Sequence, residues 1–288
     1  MNARATLRVP MNTAASQAAR RAMAGAKPAP RGRTAVWRTW VHAGVLLACG
    51  AQAALAAEVT VLSAGAIEPG MRPALAAFEK ASGHSVSLTF ATAPQIRQRI
   101  EAGTVVDVLI APPAVLDELE KSSKINADRA QRVPIGRVGL GVAVRPGAAP
   151  PDISNADAVK RAVLEADSLV FNRASTGLYF ETLLKKMGID AQALPKTTRY
   201  PDGASVMEHV LHGKGREIGF GAITEIVLLR DKGLQLVGPL PPELQNFTAY
   251  AATPMKAQPT GEAQALLRHL ASPAMKAAYA AAGIDQSP

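Results

Sequence analysis

Four short stretches of the chain combine small side chains with hydroxyls: Ser63-Ala64-Gly65-Ala66-Ile67, Thr92-Ala93-Pro94, Ala174-Ser175-Thr176-Gly177 and Asp202-Gly203-Ala204-Ser205. Each stands where an apolar run gives way to a helical pattern. The first N–H groups of a helix lack intrahelical partners, and the helix start carries roughly half a positive charge. Small side chains let a ligand approach those groups. Four such starts facing one gap would hold an anion without any lysine. Taken singly, each stretch also reads as an ordinary helix cap; the shared composition of the set points to a ligand.

Other chemistry finds less support. His209 and His212 are three apart on a helical pattern, but no third metal ligand stands at a suitable spacing and HExxH is absent. The phosphate-cradling GxxxxGK[ST], the nucleophile elbow GxSxG and a GxGxxG after a strand are also missing. Asp202, Glu208 and Glu225 read as solvated charges near helix ends. A hydrolase built on Ser175 would need a base beside it, and no histidine falls in any of the four corners. No catalytic group, metal or cofactor is therefore expected. Arg173 precedes the third corner. It reads either as a surface arginine or as a bidentate partner for a carboxylate, which makes a small organic carboxylate an alternative ligand.

The net charge of +9 would suggest a polyanionic partner if it were spread over the chain. Residues 1–57 hold eight basic residues and no acidic one, which leaves 24 basic against 23 acidic residues beyond them. A near-neutral body has no electrostatic reason to grip nucleic acid. Arg31, Arg33 and Arg38 precede an apolar run from Val41 to Ala57, and Ala54-Leu55-Ala56 fits the small-x-small rule of an export signal cleaved after Ala56 or Ala57. Cys49, the only cysteine, belongs either to that discarded signal or to a weak lipoprotein cleavage box. A body without cysteine is not stapled by disulfides.

The elements that must position the four corners repeat as strand, small loop and amphipathic helix. Strands are expected at Val59–Leu62, Val86–Phe90, Val105–Ile110, Val138–Val144, Ser168–Phe171, Thr197–Tyr200, Glu217–Phe220, Leu234–Val237 and Thr248–Ala252. Helical periodicity lies between them; Met71, Leu75 and Phe78 make one apolar face ended by Gly83, and Thr92 with Gln95 makes a capping box. Turn-rich breaks follow Val144 and Val237. Repeated strand–helix units predict an α/β protein with parallel-rich sheets. One set is inserted in the other, giving two lobes joined by two crossover strands: residues 58–138 with 239–288, and residues 139–238.

Three regions carry a resemblance to the periplasmic molybdate-binding proteins of ABC importers. Glu58–Met71 (EVTVLSAGAIEPGM), Thr89–Gly103 (TFATAPQIRQRIEAG) and Asp107–Ala111 resemble that family's opening. Ser175–Tyr179, Leu183–Gly188 (LLKKMG) and Ile218–Gly221 resemble its second lobe. The similarity runs over nearly all of residues 58–288, with Arg97–Gly103 its most specific piece. It implies a type II periplasmic binding fold and a small oxyanion held between the lobes. It also implies an inner-membrane ABC permease as partner, a periplasmic monomer and no enzymatic activity. A sensor module on the same fold is an alternative. The ligand contacts that the resemblance implies are Ala66, Thr92 or Ala93, Thr176, Gly203 and Phe220; the corners themselves add Ser63, Ala64, Gly65, Ser175 and Ala204, and the carboxylate alternative adds Arg173. The chain departs from the family at Ala66, at Thr92-Ala93-Pro94 and at Phe220, where serine, a serine-rich run and tyrosine are usual. Each lost charge-assisted bond costs an oxyanion about 1.5–3 kcal/mol, so the ligand expected here departs from molybdate.

Overall fold

The computed structural model describes residues 57–287. The expected export head, with Cys49 and the cleavage positions, lies outside the described residues apart from Ala57.

The first half alternates as anticipated: β1 (Glu58–Ala64), a 3-10 turn at Gly65–Ile67, α1 (Glu68–Ser82), β2 (Ser85–Ala91), α2 (Ala93–Glu101), β3 (Val108–Ala111) and α3 (Pro113–Lys121). In α1 the buried residues Met71, Ala74, Leu75 and Phe78 recur at helical spacing, and Gly83 ends the helix at φ 75°. The third strand starts later than expected. Val105 is exposed, and Asp107 is taken up by Thr60, whose N–H and hydroxyl both donate to Asp107 Oδ2 at 2.9 and 2.7 Å.

The next strand, β4 (Val133–Val144), is longer than the apolar run Val138–Val144 suggests. After it come α4 (Ala156–Glu165), β5 (Ser168–Asn172), α5 (Ser175–Lys186), the short α6 (Asp190–Ala193), β6 (Thr197–Tyr200) and α7 (Gly203–Leu211). Then follow β7 (Glu217–Ala222), α8 (Ile223–Leu228), β8 (Gln235–Pro239), β9 (Phe247–Pro254), α9 (Gly261–Leu270) and α10 (Pro273–Ala281).

The strands form one curled path, β2-β1-β3-β9-β4-β7-β5-β6, with β8 also on β4. Pairs away from the middle are parallel (β1 with β2 and β3, β5 with β6 and β7), as βαβ units require. Every pairing of β4 and β9 is antiparallel. The middle of the path is β4 itself. Its first half, Val133–Gly139, pairs with β9, and its second half, from Leu140, pairs with β7 and β8. The chain is thus an α/β protein of two lobes, with one strand passing from sheet to sheet and the segment between β8 and β9 returning beside it. Gln245 ties the two crossings together. Its Oε1 accepts the Leu140 N–H at 2.8 Å, and its Nε2 donates to Leu140 O at 3.0 Å and Leu240 O at 3.4 Å.

Apolar packing follows the same division. One cluster gathers Ile67, Met71, Leu109, Ile110, Leu266 and Tyr279 around β1, β3 and β9. A second holds Leu140, Phe171, Phe180 and Phe220, and a third Val170, Met207, Val210 and Ile226 on the opposite face of the second sheet.

Candidate functional site

The four corners identified in the sequence open onto one cavity of about 420 Å³. Its wall is built from the ends of β1, β2 and β5 and the starts of α1, α2, α5 and α7, joined by Glu225 of α8 and Tyr250 of β9. This is where open α/β sheets bind ligands, beyond the carboxyl ends of their strands.

Each corner is held by its own local bonds. After β1, the Gly65–Ile67 turn leads into α1, and the buried Thr224 hydroxyl of α8 donates to Ala66 O. At the second corner Thr92 caps α2, and Gln95 Oε1 accepts the Thr92 N–H at 2.9 Å. At the third, Asn172 ends β5 with its side chain buried. Its Oδ1 accepts the Ala174 and Gly177 N–H groups, both at 3.0 Å, and its Nδ2 donates to Thr176 Oγ1 at 2.9 Å. A Cβ on Gly177 would fall 1.9 Å from Asn172 O, so only glycine lets this turn close. At the fourth, Asp202 Oδ1 accepts the Ser205 N–H at 2.8 Å and caps α7. The first N–H groups of α2, α5 and α7 remain without intrahelical partners beside the cavity.

Among the described residues no Lys, Arg or His lines the cavity, whereas four acids do: Glu68, Asp202, Glu208 and Glu225. Three of these charges are compensated. Glu68 pairs with Arg72 at 2.5 Å, Asp202 sits on the α7 start, and Glu208 pairs with His212 at 3.3 Å and Lys232 at 3.6 Å. Glu225 has no cation. The residue is half-buried, and its carboxyl is lodged in the wall where a Cβ on Gly203 would stand 1.8 Å from Oε2. The Ala222 N–H donates to it at 3.3 Å. Burial pushes the Glu225 carboxyl up to about 7. The Ala222 N–H opposes the rise, and the Asp202 and Glu68 charges add to it. Tyr250 lies buried in the same wall; burial raises its phenol, the Glu225 charge raises it further, and a hydrogen bond with Thr248 works the other way.

The structure brings together Ala64, Gly65, Ala66, Thr92, Ala93, Ser175, Thr176, Gly203 and Ala204. Three expected contacts lie elsewhere. Ser63 is sealed within β1 between β2 and β3, and its hydroxyl turns to Ala64 O at 3.3 Å. Arg173 is exposed and off the cavity wall; only its N–H is engaged, with Tyr200 O at 2.8 Å. Phe220 points into the second lobe's core, stacked on Phe180 with centroids 3.8 Å apart. Sequence reasoning missed Asn172, Gln95 and Tyr250 as wall residues and took Glu225 for a solvated charge. A buried asparagine closing the apolar run SLVFN was the available signal for the first. His209 is engaged by Tyr200 at 2.7 Å and Glu217 at 3.1 Å, and no group of three metal-ligating side chains occurs among the described residues.

Comparison with known proteins adds three findings. Residues 59–285 match the family model described as bacterial extracellular solute-binding protein. A Pseudomonas sp. protein named aconitate isomerase is 33% identical over 223 residues, covering 74% of this chain and 82% of its own length. Two solved structures share the fold. The Azotobacter vinelandii periplasmic molybdate-binding protein has a TM-score of 0.65 at 16% identity, covering 80% of this chain and 100% of its own. The substrate-binding domain of a putative molybdenum ABC transporter from Clostridium difficile has a TM-score of 0.61 at 14% identity, covering 81% and 100%.

Proposed function

The chain belongs to the bacterial extracellular solute-binding proteins, and from that premise we propose that its cleft captures a small organic polycarboxylate for delivery to an ABC-type permease. One observation carries this reading: four helix starts converge on a cation-free cavity of about 420 Å³. Converging peptide N–H groups suit carboxylate oxygens. The volume falls in the range of sites for organic ligands, roughly 300–1,000 Å³. Ala66 and the inward-turned Phe220 offer the cavity no hydroxyl, which argues against a tetrahedral metal oxyanion. In this reading residues 58–138 with 239–288 form one lobe and 139–238 the other, and they close about the β4 crossing on the ligand.

The test is a thermal-shift screen of the exported body against molybdate, tungstate, sulfate and a panel of di- and tricarboxylates. A ligand at a hundredfold its Kd adds about 2.7 kcal/mol of stability. We expect shifts with carboxylates; a shift with tungstate alone would overturn the assignment.

A second reading, in which the same cleft isomerises its ligand, is favoured by the 33% identical relative named aconitate isomerase and by Glu225, a cleft carboxyl titrating near neutrality. Proton NMR of either geometric isomer of aconitate incubated with the protein separates the two readings. Interconversion supports the isomerase, whereas binding with unchanged isomers supports capture alone.

A further inference from the structure

We propose that the cleft takes up a proton together with its anionic ligand, and that Glu225 carries this proton as a hydrogen-bond donor to the bound anion. The inference rests on the reading of the cleft as a carboxylate site.

The charges around the cavity single out this residue. Glu68 is held by Arg72, Asp202 by the start of α7, and Glu208 by Lys232 and His212. Glu225 has only the Ala222 N–H, and Gly203 leaves its carboxyl room at the start of α7, where the ligand's oxygens are expected. The titratable groups facing it are Glu68 from α1, Asp202 at the α7 start and Tyr250 from β9, with Glu208 farther along the same wall. From β4, β7 and β8, and from the turn at Arg230–Lys232, no charged side chain lines the cavity. An ionised Glu225 would thus meet an incoming carboxylate with no cation between them. A protonated Glu225 instead adds a donor to those of the corners and removes that repulsion. Its titration near 7 makes the proton available at a small cost.

The position of α8 puts Glu225 in reach of both sides of the cleft. This helix packs against α1 and the Gly65–Ile67 turn as well as against α7 and β4, and its Thr224 donates to Ala66 O. Glu225 therefore stands where the corners of the two lobes meet.

The experiment is calorimetric titration of the full exported protein with tricarballylate and, separately, succinate. Neither has a double bond to isomerise, so the readout is binding alone. Titrations at pH 6 and pH 8 are run in buffers of different ionisation enthalpy. Close to one proton per ligand is expected to enter the protein at pH 8 and little at pH 6, with affinity falling about tenfold between them. In Glu225→Gln the protein's share of both effects disappears; the ligand's own ionisation is common to the two proteins and cancels. Binding without proton uptake at pH 8 would overturn the inference and leave the carboxylate reading standing. Failure of both compounds to bind would overturn that reading and this inference with it. Should Glu225→Gln fold poorly, the proton count of the unaltered protein decides alone.

Discussion

Replacing Asn172 separates what holds the third corner together from what lets it bind an anion. In Asn172→Ala the Ala174 and Gly177 N–H groups lose their acceptor, and Thr176 loses the amide that donates to it. Three bonds at roughly 0.5–1.5 kcal/mol each amount to about 1.5–4.5 kcal/mol. At about 2–4 °C per kcal/mol for a domain of 150–250 residues, Tm should fall by about 3–18 °C. Asn172→Asp keeps an acceptor for both N–H groups, and the Thr176 hydroxyl can turn to donate to it. A carboxylate at a helix start is itself favourable by about 0.3–1 kcal/mol, so stability should stay within about 1 kcal/mol of the parent. The same charge stands in the wall of the cleft beside the first N–H groups of α5. Carboxylate affinity should therefore drop by at least about tenfold, equivalent to about 1.4 kcal/mol. Thermal unfolding followed by circular dichroism reads the first effect and calorimetric titration the second. An alanine variant as stable as the parent, or an aspartate variant that binds as tightly, would refute this account of the corner.

Three further outcomes follow from the same geometry. Arg173→Ala should leave carboxylate affinity within about twofold of the parent in a binding titration, because its guanidinium lies outside the cleft. Phe220→Tyr, which installs the residue usual in molybdate-binding proteins, should lower stability by about 1–3 kcal/mol through an unpartnered buried hydroxyl; a tungstate titration should show no gain in affinity. Glu225 binds its proton more tightly folded than unfolded, so its contribution to stability is greatest below pH 4.5, declines as pH rises to about 7 and is then flat. Glu225→Gln should accordingly be up to about 3 kcal/mol more stable than the parent at pH 8 and no more stable at pH 4, by denaturant unfolding.

The corners were legible in the sequence because one local feature, small residues at a helix start, serves both capping and backbone access. The strand–helix alternation was equally legible, since β1, β5 and β7 are short apolar runs between clear amphipathic segments. The double pairing of β4 was not. An apolar run such as Val138–Val144 records burial and says nothing of which neighbour buries which half. Arg173 and Phe220 show a related limit: neither a place beside a corner, as for Arg173, nor a resemblance in sequence, as for Phe220, settles which way a side chain turns. Glu225 lay beyond local reasoning because its surroundings, Gly203 against its carboxyl and Glu68, Asp202 and Tyr250 near enough to act on it electrostatically, are distant in sequence and assembled only by the fold.

The passage of β4 through both sheets, with Gln245 stitching it to the returning segment, bears on how fast the cleft can work. A rod shared by two bodies yields only by torsion, and that torsion is felt by ladder bonds on both sides at once. If the lobes close as proposed, loosening the Leu140–Gln245 stitch is expected to change how long a guest stays, from a place outside the cavity wall.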